Sequence, residues 1–170
     1  MTGTKMIHTA SDDDLVFLRH AFSVADQSRL AGDHPFGAIL VDGQGEVVMT
    51  QGNGFSSEGH DMTAHAERLL ASRASKAYSA SALRDFTLYS SAEPCAMCAG
   101  AIYWAGIGRV VYGQSEAHLK AMTGNHPENP TLDLPCRLVF AAGQRDTVVI
   151  GPLLEEEAAD LQRSFWETHS

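Results

Sequence analysis

Two short segments of this 170-residue chain hold side chains that can do chemistry together. Thr63-Ala64-His65-Ala66-Glu67 sets a carboxylate two positions after an imidazole, and Glu93-Pro94-Cys95-Ala96-Met97-Cys98 sets two thiols three positions apart. Imidazole nitrogen and thiolate sulfur suit a borderline-soft divalent ion such as zinc, and three protein ligands leave the fourth tetrahedral position to water. His65, Cys95 and Cys98 are therefore candidate ligands for one Zn2+ per chain, at a site open enough to be catalytic. Their three-residue spacing puts Cys95 and Cys98 on one face of a first helical turn, where exposed amides and the dipole favour thiolates. On a helix Glu67 lies roughly 200° around from His65. It is better placed beside such a metal than on it, where its carboxylate can take a proton from the water. Each half also has an ordinary reading. Cys-x-x-Cys can be a redox pair or a chance pair in a buried helix, and His-x-Glu is usually a solvated helix face.

Positioning these groups takes elements that the pattern supplies. From Ser11 the apolar residues Leu15, Leu18, Phe22 and Ala25 recur at helical steps, with a serine cap, three aspartates at the start and Gly32 as the stop. Phe36–Val41 and Glu46–Met49 flank Asp42-Gly43-Gln44-Gly45, which predicts a β-hairpin. Residues 51–62 are polar and Gly-rich and read as a loop. A helix follows from near Thr63 to Lys76, with Ala66, Leu69 and Leu70 inward. Phe86–Ser90 and Arg109–Gly113 read as strands around an apolar helix, Cys95–Ala105, which makes a right-handed βαβ unit with parallel strands. Residues 123–135, with three prolines and a glycine, form a long loop. Arg137–Ala141 and Thr147–Ile150 are short strand candidates. The C-terminal region, 151–170, holds a last helix over about Leu154–Trp166 that turns Leu154, Ala158, Leu161 and Phe165 to the core. Residues 1–10 carry no pattern. With no repeat and no linker, 1–170 reads as one domain of mixed sheet and helices.

Composition narrows the class. At 44% hydrophobic and 19% charged residues the chain is built as a soluble globular protein and not as a disordered one. Twelve basic against 21 acidic residues give a net charge of −9, which argues against a broad basic surface for nucleic acid. No apolar run approaches the ~20 residues of a membrane helix, and the start lacks a basic-then-apolar secretory pattern. Three cysteines, two of them in one motif, point away from a disulfide framework and to metal or redox chemistry in a reducing compartment. A cytoplasmic location without membrane attachment is expected.

His-x-Glu followed about 30 residues later by Pro-Cys-x-x-Cys, with a strand between, is the spacing of zinc deaminases. The chain resembles the cytidine deaminase-like superfamily of zinc-dependent deaminases, and most of all the branch holding guanine deaminases and bacterial tRNA adenosine deaminases. The likeness lies in His34-Pro35-Phe36-Gly37-Ala38, in Asp61 to Glu67, in Ser91 to Ile102 and in Gly108 to Gly113. It implies a three-layer α/β/α sandwich on a mixed five-stranded sheet. It also implies zinc held by His65, Cys95 and Cys98, and Glu67 as the catalytic proton carrier. Asn53 would contact the base, Phe36, Ala64, Glu93, Pro94 and Trp104 would line the pocket, and the chain would form a homodimer.

Substrate is addressed by three features. Ile102-Tyr103-Trp104-Ala105 resembles the guanine deaminase pattern, although the two aromatics also read as core. The last helix places Glu155, Glu156, Glu157, Asp160 and Glu167 against one Arg163, the wrong sign for tRNA phosphates. Residues 125–130 read as a lid over a small ligand. The expected activity is zinc-dependent hydrolytic deamination of a cyclic amidine in a free nucleobase or nucleoside, guanine or a related aminopurine first, with release of ammonia. Glu116 and Glu155–Glu157 are candidates for the further proton-moving carboxylate that the resemblance implies. The alternatives are a tRNA adenosine deaminase converting wobble adenosine to inosine, and a non-catalytic zinc-stabilised binding domain. Cys136 is expected to be a free thiol, buried or partly exposed, His60 and His126 to be solvated, and His34 to lie outside the site or at most on the pocket rim.

Overall fold

A computed structural model describes residues 8–169. The expectation for residues 1–10 falls mostly on 1–7, which lie outside the described residues. In chain order the elements are α1 (Asp12–Leu30), β1 (Gly37–Val41), β2 (Val47–Gly52), α2 (Ala66–Ala77), α3 (Ala80–Leu83), β3 (Thr87–Ala92), α4 (Ala96–Ala105), β4 (Arg109–Gln114), α5 (Glu116–Thr123), α6 (Cys136–Ala141), β5 (Val148–Ile150) and α7 (Glu155–Thr168).

The five strands form one sheet in the order β2-β1-β3-β4-β5. The hairpin partner β2 and β3 run antiparallel to β1, whereas β3, β4 and β5 are mutually parallel. The sheet is thus mixed, and β3–α4–β4 is the expected crossover unit. Helices cover both faces. Leu18, Ala21 and Phe22 of α1 and Ala158 of α7 pack with Ile39, Tyr89 and Val111 on one side. On the other side Leu70 and Ala74 of α2, Ala99 and Ile102 of α4 and Phe140 of α6 pack with Leu40, Leu88 and Val110. Alternate residues of β1, β3 and β4 feed opposite cores, as period-two strands buried on both faces must. The fold is the three-layer α/β/α sandwich.

Local chemistry explains the element ends. Ser11 and Asp14 form a reciprocal capping box at the start of α1. Gly37 marks the closest approach of β1 to α1, where an added Cβ would meet Ala21 O at 2.8 Å and also the Ala25 nitrogen.

Several expectations need correction. Arg137–Ala141 is helical and not a strand. Cys136 and Phe140, four apart, are its inward pair, and the Cys136 N–H finds a carboxylate acceptor on Glu93 at 2.9 Å, so a helix start is satisfied there. The helix expected from Thr63 begins at Ala66, with Ala64 and His65 in an extended approach. Two short helices, α3 and α5, were not foreseen, although Ser79 and Ser115 cap them as serines commonly do. Strand β2 runs on to Gly52.

Candidate active site

The two chemical segments meet because each ends its approach at a helix start. His65 is the N-cap of α2 and Cys95 the N-cap of α4. Cys98 follows in the first turn of α4, and Glu67 in the first turn of α2. The two helix starts therefore present unsatisfied amides and partial positive charge to one spot. His65 Nδ1 lies 3.6 Å from Cys95 Sγ and 3.6 Å from Cys98 Sγ. Tetrahedral zinc with Zn–N of ~2.0–2.1 Å and Zn–S of ~2.3 Å sets nitrogen and sulfur about 3.6 Å apart. The donor set thus fits zinc in identity and in spacing. Among the described residues, this is the one group of three or more His, Cys, Asp or Glu side chains placed to hold a metal ion.

Electrostatics prepare one of the two thiols for the same use, whereas the Cys98 thiol is pushed up by its hydrogen bond with Cys95 and by burial. Hydrogen bonding from Cys98 pushes the Cys95 thiol down to about 4, with His65 adding to the effect. That gives a thiolate at neutral pH. Glu67 is buried, and burial raises its carboxyl above the usual range against the opposing pull of His65. Its Oε1 accepts a hydrogen bond from Ser90 Oγ at 2.9 Å, and the Cys98 thiol approaches Oε2 at 3.8 Å. Glu67 stands beside the ligand set and outside it.

A cavity of ≈ 50 Å³ adjoins this cluster, walled by His34, Phe36, Asn53, His65, Glu67, Ala92, Glu93, Cys95, Glu116, Leu119, Glu128 and Asn129. Asn53 is buried, and its Oδ1 accepts the Phe55 N–H at 2.8 Å. Burial, followed by the nearby Cys95, Glu67 and Glu93, pushes Glu116 up to about 8. An outer hollow of ≈ 430 Å³ lies next to the cavity, lined among others by Arg29, Phe55, His60, Phe165 and His169. His34 and Glu128 line both spaces, and they are joined by a 2.8 Å contact from Nε2 to Oε2.

Of the residues expected in the pocket, Phe36, Asn53 and Glu93 line the cavity and Ala64, Pro94 and Trp104 do not. Both backbone groups of Ala64 are already used, its N–H by Asp61 and its C=O by Gly54. Trp104 is 78% exposed on α4, edge-on to Tyr103 and away from the cavity lining. Among the proposed carboxylates Glu116 lines the cavity, whereas Glu155 is bound to Ser115 and Glu157 to Arg19. His34 was expected outside or at most on the rim and is a wall residue. His126 was expected at the surface and is nearly buried, with Nε2 against His169 O at 2.8 Å and its ring edge-on to Trp166. Cys136 is buried and unpaired. Sequence reasoning missed Ser90, left His34 at most on the rim, and had Glu128 and Asn129 only as part of the lid read over 125–130. The residue before Pro35 and the polar stretch 125–130 were the available signals.

Comparison with known proteins agrees with this geometry. The family described as the cytidine and deoxycytidylate deaminase zinc-binding region matches residues 11–114. The chain is 40% identical over 157 residues to a probable cytosine deaminase of Schizosaccharomyces pombe, covering 92% of this chain and 94% of that one. It is 42% identical over 98 residues to guanine deaminase of Bacillus subtilis, covering 56% and 61%. Among solved structures, a tRNA:A34 deaminase superposes with a TM-score of 0.64 at 28% identity, covering 86% of this chain and 99% of that one. Among the described residues, no helix is long and apolar enough to cross a membrane. The chain belongs to the cytidine and deoxycytidylate deaminase family and is a zinc-dependent hydrolytic deaminase.

Proposed function

We propose that the chain deaminates a free nucleobase. The observation that carries this reading is the small, roofed cavity. At ≈ 50 Å³ it is far below the ~300–1,000 Å³ of clefts for drug-sized ligands. Glu128 and Asn129 line it together with His34, which meets Glu128 at 2.8 Å. A flat base suits such a space better than a base carried on a polymer. The near full-length similarity to a probable cytosine deaminase makes a one-ring aminopyrimidine the first substrate to try. Guanine, favoured on the sequence, is the second, supported by the shorter match to guanine deaminase.

Zinc bound by His65, Cys95 and Cys98 would supply a water acidic enough to act as nucleophile at neutral pH. The chain's own residues do the rest. Glu67 takes the proton of the attacking water to the ring nitrogen, then carries the proton of the hydroxyl added to the ring carbon to the departing amine, so that ammonia leaves as the ring carbonyl forms. Asn53 orients the ring. Phe36 packs on the base, and Glu116 is the carboxyl placed to exchange a second proton. The roof keeps bulk water from the reacting carbon.

A second reading, deamination of adenosine in tRNA, is favoured by the 28%-identical tRNA deaminase fold. A panel of cytosine, guanine, adenine, their nucleosides and unmodified tRNA, assayed for ammonia and for inosine, separates the two. Free bases should react and tRNA should not. Reaction of tRNA alone would overturn the proposal. A homodimer is proposed from the exposed apolar side chains Trp104 on α4 and Leu138 on α6, two helices that pack together and would be covered by a second copy.

A further inference from the structure

Glu93 was expected to touch substrate, but both of its carboxylate oxygens are already engaged. Oε2 accepts the backbone N–H of Glu116 at 2.9 Å, and Oε1 accepts that of Cys136 at 2.9 Å. Its own N–H is spent on Gln114 O at 2.7 Å. Glu116 opens α5 and Cys136 opens α6. The two bonded amides are first-turn N–H groups with no partner inside their own helices. Ser115 caps α5 through the His118 N–H, so the Glu116 amide still needs an acceptor. Pro135 brings no capping side chain to α6. A buried carboxylate between two helix starts is a charge-assisted acceptor for both.

The chain between these anchors, residues 117–135, carries the roof. Leu119, Glu128 and Asn129 on it line the cavity, as does the Glu116 side chain at its first anchor. Glu93 in turn stands two residues before Cys95 and continues directly from β3. One side chain therefore ties both ends of the roof to the backbone that presents the thiolates. We infer that Glu93 is a positioning residue, which sets the Glu116 carboxyl and the roof against the ligand cluster and does not contact substrate.

This inference rests on the cavity being the deaminating site, so its test has arms that read with and without substrate. Glu93→Gln keeps the shape but offers one acceptor where two are needed, and turns an NH2 group towards the other N–H. Losing a hydrogen bond to a charged acceptor should raise amide exchange at Glu116 and Cys136 by about 10-fold or more. Zinc content should stay near one per chain. In ammonia release from the active base, kcat should fall about 10- to 100-fold, because Glu116 and the roof are displaced. A residue that merely aids folding would lower the melting temperature and leave kcat per folded, zinc-loaded chain unchanged. A residue that contacts substrate would raise KM and leave the two amides protected. Either result overturns the inference. Cys136→Pro removes one of the two donors at a helix position that tolerates proline. It should shift exchange at Glu116 and kcat in the same direction by less, and it decides the matter if Glu93→Gln does not fold. If the exchange result holds while the wild type releases ammonia from no base, the nucleobase reading fails and the tether stands.

Discussion

Replacing Glu67 by Gln removes one capability and little else. The side chain is buried beside the zinc ligands without belonging to them. Glutamine can still accept from Ser90 Oγ, so shape and zinc occupancy should persist. What is lost is a group that takes and returns a proton. Proton transfer by a placed side chain contributes typically ~10²–10⁴-fold, and Glu67 is asked to do it twice in one turnover. The surroundings show how far the loss can be rescued. The cavity has three other carboxyls, Glu93, Glu116 and Glu128. Both oxygens of Glu93 are held by backbone amides, and Glu128 is held by His34. Only Glu116 is left, and with its carboxyl pushed up to about 8 it is mostly protonated at neutral pH and so mostly unable to accept the water's proton. The expected fall in kcat is therefore ~10³-fold or more, about 4 kcal/mol of barrier. KM should change little, and zinc should remain near one per chain. Stability should move the other way in the zinc-free protein. A carboxyl raised by burial opposes folding once pH exceeds its unfolded value, because the fold disfavours the charged form. The neutral amide removes that opposition, so the melting temperature should hold or rise at pH 7. Ammonia release by a coupled assay, metal analysis and a thermal melt read all three. Turnover within 10-fold of wild type at full zinc occupancy would refute the role given to Glu67.

Trp104→Ala should leave ammonia release per zinc-loaded chain within about twofold, as for other exposed sites, and should yield a monomer in sedimentation. A raised KM would return Trp104 to the pocket. Asp14 is buried. Burial alone would raise its carboxyl, but the Arg109 guanidinium at 2.7 Å, with the Ser11 N–H and Tyr89 hydroxyl, outweighs this and holds it well below the usual range. Its stabilisation is thus full above pH ~4 and is lost as pH falls below that. Asp14→Asn should cost about 3 kcal/mol at pH 7, and the gap to wild type in denaturant titrations should close towards pH 2. A gap independent of pH would contradict the assignment. Gly37→Ala forces a methyl onto the α1 backbone and should cost ~1–3 kcal/mol, seen as a melting temperature lower by at least ~2 °C. An unchanged melt would show that β1 and α1 can part freely.

The zinc cluster was legible because each half of it is contiguous and marks a helix start. His65 and Glu67 share one start, and Cys95 and Cys98 share the other. The β3–α4–β4 pattern was legible for the same reason, since its periodicity is local. What the chain hid came from groups far apart in sequence. His34 meets Glu128 across 94 positions, and Glu93 reaches Cys136 across 43. No window of residues carries that information. Helix α6 was misread because Arg137–Ala141 is a short apolar run, which can pack as a strand or as one helical turn. The acceptor that favours the turn belongs to Glu93.

The acidity of the chain also looks different once its partners are known. Counted in the sequence, α7 seemed to repel phosphates. In the fold Glu155 caps Ser115 and pairs with His118, Glu157 pairs with Arg19, and Asp160 and Glu156 both lie against Arg163. Arg19 and Arg163 answer part of this charge, so the field close to α7 is weaker than its acidic residues alone suggest, while the net charge of −9 is unchanged. The acidity of α7 then says little for a free base over a base in RNA. The stronger argument is steric. His34 and Glu128, joined at 2.8 Å, line both the outer hollow and the inner cavity, so on the proposed reading a substrate entering from the hollow passes them to reach Glu67. A free base needs only a brief parting of that pair, whereas a base tethered to tRNA must hold it open throughout the reaction. Glu128→Ala should accordingly raise the dissociation rate of a free base and widen the accepted substrates towards nucleosides. If it abolishes binding of every base, Glu128 serves as a ligand for the substrate and not as a wall.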